Sequence, residues 1–127
     1  MAGLSKVENY LMELGLSYQE ATPNTFYVED EARGLPGVAI TVEEPVVFFR
    51  TKVMALPKTK NIALYETLLT LNAEDILHGA YGIDGQDVVL VDTLEYETMD
   101  RSEFEAALDS IGLALSKHYA VLGAYRD

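Results

Sequence analysis

The sequence predicts an α+β domain in which helices pack against one antiparallel sheet. Apolar residues recur at helical spacing near both ends of the chain and in its middle, which indicates three helices. Segments with the alternating apolar and polar residues of half-buried strands lie between them. An Asp84-Gly85 pair joins two such segments and favours a tight hairpin, hence antiparallel pairing. The predicted order is α-β-β-β-α-β-β-α.

The first predicted helix covers residues 4–16. Ser5 can cap it, because a serine side chain accepts a hydrogen bond from a free N–H of the first turn. Glu8 stands three residues later, in the matching capping-box position. The apolar stripe of this helix is Val7, Tyr10, Leu11 and Leu14. Gly15 lies near its end, where glycine is common.

Turn residues and alternation mark the strands that precede the second helix. Residues 17–21 are a short candidate strand, and residues 26–29 lie in the next one. Residues 38–43 alternate as in a half-buried strand, and Val46–Ala55 follows after a proline.

The strand Val46–Ala55 is apolar on both of its faces. One face carries Val47, Phe49, Thr51 and Val53; the other carries Val46, Phe48, Arg50, Lys52 and Met54. If the first face builds the core, Val46, Phe48 and Met54 form an exposed apolar patch. Such patches are typical of interaction sites. The alternative is that helices cover both faces, and the sequence leaves this open.

The second predicted helix, about residues 61–72, carries two apolar rows. Asn61 is its expected N-cap. The rows are Leu64, Leu68 and Leu71, and Ile62, Tyr65 and Leu69. A surface helix needs one apolar stripe, so two rows indicate burial on two sides. The second side is covered either within the monomer or by another copy of the chain.

A hairpin and a long helix complete the chain. The hairpin pairs residues 77–83 with residues 88–94 through Asp84-Gly85, which favours a type I′ turn with positive φ at both central residues. The last helix opens at Asp100 or Ser102, with acidic residues in its first turn. Its main stripe is Phe104, Leu108, Ile111, Leu115, His118 or Tyr119, and Leu122.

Composition limits the function classes. A length of 127 residues predicts one domain, residues 1–127. The net charge of −12 repels phosphate backbones and anionic lipid, so we expect neither nucleic acid nor a membrane as partner. This charge either only keeps the protein soluble or also steers basic or amphipathic partners. Without a signal-peptide pattern or a long apolar run, a cytoplasmic location is expected.

The sequence contains no pattern that predicts catalysis, a cofactor or a metal site. The absence of cysteine excludes thiol chemistry and cysteine-based zinc sites. His78 and His118 lie far apart and lack the spacing that places two ligands on one helix face. Residues 84–87 are similar to part of a calcium loop, but their flanks are strands rather than helices. We therefore expect a protein that is not an enzyme.

Two further groups of residues have ordinary structural explanations. The acidic residues are Glu95, Glu97, Asp100, Glu103 and Glu105. They fit solvated and helix-dipole positions better than a general-acid pair. Gly79, Gly82 and Gly85 lie in a strand and its turn, where we expect close packing against a helix rather than phosphate binding.

The element order and residues 68–94, LLTLNAEDILHGAYGIDGQDVVLVDTL, resemble the type III secretion chaperone-like superfamily. That superfamily includes the class I, CesT-like chaperones and the YbjN-like proteins. The local likeness is carried by Leu68, Leu69, Leu71, Asn72, Gly79, Gly82 and the strand 88–94. The small size and acidic pI are also similar.

The resemblance implies a homodimer that holds an extended segment of a partner protein, partly by strand addition. It implies partner binding at Val46, Phe48 and Met54. It implies a dimer interface at Leu64, Tyr65 and Leu68. The alternative is a stand-alone YbjN-like regulatory or stress-related protein without a secreted client. A small enzyme with an acidic site is a third hypothesis.

Overall fold

The computed structural model describes residues 5–76 and 78–127. The elements are α1 (Lys6–Glu13), β1 (Tyr18–Thr22), β2 (Thr25–Asp30), β3 (Leu35–Glu43), β4 (Val46–Ala55), α2 (Ile62–Glu74), β5 (Ala80–Asp84), β6 (Asp87–Glu95) and α3 (Arg101–Gly123). The α+β class is confirmed. Four strands precede α2 instead of the three predicted, because the short candidate at residues 17–21 is a strand of its own. Residue 77, the predicted start of the hairpin, lies outside the described residues.

The six strands form one antiparallel sheet in the order β1-β2-β3-β4-β6-β5. The chain runs as a meander from β1 to β4 and then crosses through α2 to the far edge. β6 returns between β4 and β5, so β4 pairs with β6. This leaves β1 and β5 as the two edges of the sheet.

The first two helices begin at the predicted N-caps, and α3 begins at Asp100, one of the two predicted starts. Ser5 and Glu8 form a capping box at α1, and Asp100 and Glu103 form another at α3. At α2, the Asn61 side chain accepts a hydrogen bond from the Leu64 amide at 3.3 Å. These caps satisfy backbone donors that the first turn of a helix leaves free.

The turn between β5 and β6 differs from the predicted type. Asp84 pairs directly with Asp87, so the two central residues are Gly85 and Gln86 rather than Asp84 and Gly85. Gly85 has a φ of 61°, whereas no described residue other than glycine has a positive φ. A positive φ at the first central residue alone is the pattern of a type II′ turn. The predicted type I′ turn was therefore wrong, because the two central residues lie one position later in the sequence than expected.

The core lies between one face of the sheet, called here the inner face, and all three helices. Its largest fully buried side chains are Phe26, Phe49, Phe104, Leu11, Leu35, Ile40, Leu64, Leu90, Leu108, Ile111, Leu122 and Val7. The rings of Phe49 on β4 and Phe104 on α3 lie 5.5 Å apart, centroid to centroid. Tyr10 of α1 approaches Phe104 at the same distance. All three helices therefore pack against the same face.

Two glycines allow the link between β2 and β3 to touch α3. A Cβ on Gly112 of α3 would overlap the carbonyl oxygen of Arg33. Gly34 has a φ of +74°, and a Cβ there would lie 3.3 Å from the Ser116 hydroxyl. The Arg33 guanidinium then binds Glu105 at 3.3 Å and Asp109 at 3.0 Å on the same helix. Backbone contact and ion pairs together fix this link on α3.

The glycines of the hairpin do not have the role expected from the sequence. A Cβ on Gly79 would overlap the carbonyl oxygen of Val91 on β6, so its constraint comes from a strand rather than from a helix. Gly82 and Gly85 have open space around them. The expectation of close packing against a helix was therefore wrong at these positions.

We expect Gly112→Ala to destabilise the protein by about 1–3 kcal/mol, because an added methyl in a filled site forces the backbone apart. Without this contact, alanine would stabilise the helix by about 1 kcal/mol over glycine. A decrease in the free energy of unfolding therefore indicates the close contact. Gly82→Ala is the matched control, since nothing lies within 4 Å of its added Cβ. Urea unfolding of both variants measures the difference. Equal stability of Gly112→Ala and the wild type would contradict the contact.

Candidate protein-binding surfaces

The second face of the sheet, called here the outer face, carries no helix in the described part of the chain. Its apolar centre contains Phe48 on β4 and Tyr27 on β2, which are 41% and 42% exposed. Phe48 lies between Thr41 of β3 and Thr93 of β6 in the ladder, and Tyr27 lies opposite Ala39. A shallow groove of about 270 Å³ runs past Phe48. The side chains at this apolar centre are small or aromatic, as in a surface that accepts another chain.

The structure separates the three residues of the predicted patch. Val46 is half-buried and Phe48 is exposed, and both lie on the outer face. Met54 is 4% exposed and belongs to the core. The pairing of β4 with β6 shifts between Lys52 and Met54, and this bulge turns Met54 inward. Placing Met54 with Phe48 was wrong, because strict alternation stops at a bulge.

Acidic residues of the β5–β6 hairpin pair with the basic residues of this face. Arg50 forms an ion pair with Asp84, and the Lys52 ammonium lies 3.4 Å from the Asp87 carboxylate. All four side chains are exposed, so the pairs add little to stability. Their effect is on charge: each pair offsets one acidic and one basic group, whereas Glu43, which lines the groove at Phe48, belongs to none of the ion pairs of the described residues.

The sheet also presents an open edge. Four of the five residues of β1 are exposed, and β1 pairs with β2 alone among the described strands. An edge strand has free N–H and C=O groups along its outer side. Such an edge can accept an additional strand from another protein, with the backbone providing the hydrogen bonds.

The predicted dimer interface is divided between the inside and the outside of the monomer. Leu64 is fully buried, Leu68 is 5% exposed, and both belong to the monomer core. Placing the interface at these two leucines was wrong, because α2 needs that row to pack against its own domain. Tyr65 is partly buried. The outward row consists of Ile62 and Leu69, which are 73% and 68% exposed.

A buried polar cluster that the sequence analysis did not predict joins three elements. The side chain of His118 on α3 is 3% exposed. Its Nδ1 lies 2.7 Å from the Tyr81 hydroxyl of β5, and its Nε2 lies 2.7 Å from Asp75 Oδ2, just after α2. A carboxylate only accepts hydrogen bonds, so Nε2 carries the proton that binds Asp75; in the neutral ring, Nδ1 then accepts from the Tyr81 hydroxyl.

The cluster shifts the pKa values of its members. The hydrogen bond from His118, followed by that from Lys117, lowers the pKa of the Asp75 carboxyl below 3.8. Burial, assisted by the charge of Asp75, raises the pKa of Tyr81 to about 12. Tyr81 is therefore a neutral donor and Asp75 an anion at neutral pH.

The geometry of this cluster suits a structural role, holding α2, β5 and α3 together, better than catalysis. The space beside His118 and Asp75 is about 60 Å³, much smaller than the several hundred Å³ typical of ligand pockets. The sequence contained one indication, since His118 occupies a position in the apolar stripe of α3. Its partners lie 37 and 43 residues away, so only the fold brings them together.

The acidic residues around α3 likewise have structural partners. Asp100 and Glu103 form the capping box of α3, and Glu105 binds Arg33. Within residues 5–76 and 78–127, no group of three or more histidine, aspartate and glutamate side chains is arranged to hold a metal ion. Among the described helices, none is both long and apolar enough to cross a membrane.

A family model of type III secretion chaperones, CesT_Tir_1, matches residues 2–127 of the sequence. The chain belongs to the CesT_Tir_1 family. Among curated proteins, none has a sequence that matches this CesT_Tir_1 chain.

Solved structures share the fold of this CesT_Tir_1 chain. YbjN from E. coli, a proposed transcription regulator, has a TM-score of 0.70 at 17% identity, covering 94% of this chain and 93% of YbjN. A chain of the heterodimeric ExoU–SpcU complex from the type III secretion system of Pseudomonas aeruginosa gives the same score and identity. That match covers 87% of this chain and 93% of the other. At this identity, the likeness shows the fold.

We expect Tyr81→Phe to destabilise this CesT_Tir_1 chain by about 1–3 kcal/mol, because it leaves the buried Nδ1 of His118 without a donor. Tyr119→Phe is the matched control, since it removes the same hydroxyl from a side chain that is 68% exposed. Urea unfolding at neutral pH compares the two. If both variants match the wild type, the Tyr81–His118 hydrogen bond does not hold β5 to α3.

Proposed function

We propose that this CesT_Tir_1 member is a non-catalytic, homodimeric protein that holds an extended segment of a partner protein, as a secretion chaperone does. Family membership supports the chaperone role. The observation that carries the proposed binding mode is the outer face of the sheet. It presents exposed Phe48 and Tyr27, and the ladder continues from it to the open edge of β1.

The proposed binding mode combines two contributions. Backbone groups at the β1 edge give affinity without regard to the partner's sequence. A further stretch of the partner segment, laid across the outer face beyond the added strand, reaches the apolar surface around Tyr27 and Phe48, which gives selectivity. Each bulky apolar side chain that becomes fully buried there contributes about 1.5–3 kcal/mol before the costs of ordering.

The structural neighbours support this proposal. One neighbour is a chain of a heterodimeric complex from a type III secretion system, so the shared fold occurs in an assembly of two different proteins. The exposed rings of Phe48 and Tyr27 fit a partner selected by apolar side chains. A cytoplasmic location, where such a protein would meet a client before export, remains part of the proposal.

We place the dimer interface on the outward row of α2. Ile62 and Leu69 are the two most exposed large apolar residues of that helix, and Tyr65 flanks them. The other apolar row of α2 already lies in the core. A second copy of the chain would therefore cover the exposed row. This assignment replaces the interface at Leu64 and Leu68.

A stand-alone regulatory protein is the second candidate. YbjN aligns with a larger part of this chain than the secretion complex does, at the same TM-score. Regulation by such a protein would act through protein contacts, since a net charge of −12 opposes binding to nucleic acid. This candidate shares the dimer of the first but has no secreted client.

We expect Phe48→Asp to abolish capture of the client while leaving the fold intact, because Phe48 is exposed and its ladder neighbours are threonines. Pull-down from the native lysate, followed by mass spectrometry, measures capture. A stoichiometric client that the wild type retains and the variant loses supports the chaperone role.

Leu113→Asp is the control for Phe48→Asp, because Leu113 is 69% exposed on α3, away from the outer face. Phe48→Ser serves as a milder variant that adds no charge. Equal capture by wild type, Phe48→Asp and Phe48→Ser would exclude the outer face as the binding site. Recovery of no client from the native lysate would favour the regulatory candidate.

We expect Leu69→Glu to convert the dimer to a monomer, because it places a charge in the centre of the proposed interface. Size-exclusion chromatography with light scattering at micromolar concentration measures the mass of each form. Leu113→Glu, an equally exposed leucine of α3, should remain dimeric. A monomeric wild type at this concentration would remove the dimer from the proposal.

A further inference from the structure

An open groove of about 860 Å³ is a surface that the proposed function does not use. It lies between the link that joins β2 to β3 and the C-terminal half of α3. The residues that matter here are Glu29, Glu31, Leu35, Pro36, Leu115 and Tyr119. We call it the α3 groove. The outer face of the sheet contributes neither Phe48 nor Tyr27 to it, so the two surfaces are distinct.

The α3 groove has a fixed shape. Its floor is apolar, since Leu35 is 2% exposed and Leu115 packs against the same core. Its wall, the β2–β3 link, is held on α3 by the Gly112–Arg33 backbone contact and by the ion pairs of Arg33 with Glu105 and Asp109. Little reorganisation is therefore needed when a ligand enters, which lowers the cost of binding.

Tyr119 is an aromatic side chain with much free surface in this groove. It is 68% exposed, and the Arg126 guanidinium carbon lies 5.0 Å from its ring centroid. A smaller depression of about 190 Å³ continues from Pro36, Leu115 and Tyr119 toward Arg126 and Lys52. Aromatic residues in such positions dominate the energetics of protein interfaces.

The charge on the rim differs between the two ends. Glu29 and Glu31 are exposed at one end, and neither forms an ion pair in the described part of the chain. Asp30, between them, accepts a hydrogen bond from the Arg33 amide. Arg33 itself is already paired with α3, so it does not neutralise this rim. The opposite end carries the Arg126 guanidinium, whereas the nearby Lys52 is already paired with Asp87.

We propose that the α3 groove is a second docking site for a protein segment that carries a bulky apolar side chain flanked by lysine or arginine. The apolar side chain packs on Tyr119, Leu115 and Pro36. The cation lies at the Glu29–Glu31 end, since the Arg126 end repels it. This inference rests on the proposed function, because it adds a docking site for the same class of partner and predicts its charge.

The probe is a fluorescein-labelled peptide of about 12 residues, roughly 40 Å when extended, that combines lysine with leucine and phenylalanine. Two matched peptides replace every lysine by glutamate, or every apolar residue by serine. Fluorescence anisotropy with the full chain should show saturable binding of the first peptide. Each matched peptide should bind at least about tenfold more weakly, a loss of about 1.4 kcal/mol.

Paired variants locate the site. Tyr119→Ser should weaken binding of the first peptide about tenfold, whereas Leu113→Ser, an equally exposed residue of α3, should not. The double variant Glu29→Gln with Glu31→Gln should weaken it similarly. Glu44→Gln with Glu97→Gln changes the net charge equally at exposed acids that line neither the α3 groove nor the groove at Phe48, and should leave the affinity unchanged.

Three results would overturn the proposal. Equal losses from the two double variants would show non-specific attraction to an acidic protein. Loss of binding in Phe48→Asp but not in Tyr119→Ser would place the segment on the outer face, and the proposed function would then stand without the groove. No saturable binding of the first peptide would exclude the groove, while client capture by the wild type would still decide the proposed function separately.

Discussion

One-sided packing is the constraint on which the rest of this structure depends. All three helices bury their apolar rows against the inner face of one sheet, and the Phe49–Phe104 contact lies within that layer. A sheet with one packed face leaves its other face to solvent or to another chain. The exposed ring of Phe48 follows directly, because it neighbours Phe49 in sequence and strand geometry turns it outward.

The same packing explains why the chain keeps a polar cluster inside. The end of α2, the edge strand β5 and α3 meet at His118, whose two ring nitrogens contact Asp75 and Tyr81. Hydrogen bonds with Tyr81 and Asp75 satisfy both ring nitrogens, so neither nitrogen of the buried histidine lacks a partner. The cluster thus holds an edge strand that has a ladder partner on one side only.

Alternation and helical spacing predicted the elements well, and they failed where the chain leaves regular geometry. The caps at Ser5, Asn61 and Asp100 are local, so the sequence was sufficient for them. Met54 was misplaced because a bulge depends on the partner strand, which a single strand does not show. The two rows of α2 were recognised, but their assignment to inside or outside requires the direction in which α2 meets the sheet. The partners of His118 and the α3 groove arise from contacts distant in sequence, for which no local pattern exists.

The two candidate surfaces are connected through one strand. β3 begins with Leu35 and Pro36 at the α3 groove and then carries Ala39 and Thr41 onto the outer face. Between these points, the ring of Tyr27 lies so close to Gly37 that a Cβ there would overlap it. The absence of a side chain at Gly37 thus leaves room for the tyrosine where the two surfaces approach each other. Once a partner segment is bound at one of the two surfaces, its binding at the other is intramolecular. A segment long enough to reach both surfaces would therefore bind tightly overall, even if its affinity for each surface were weak.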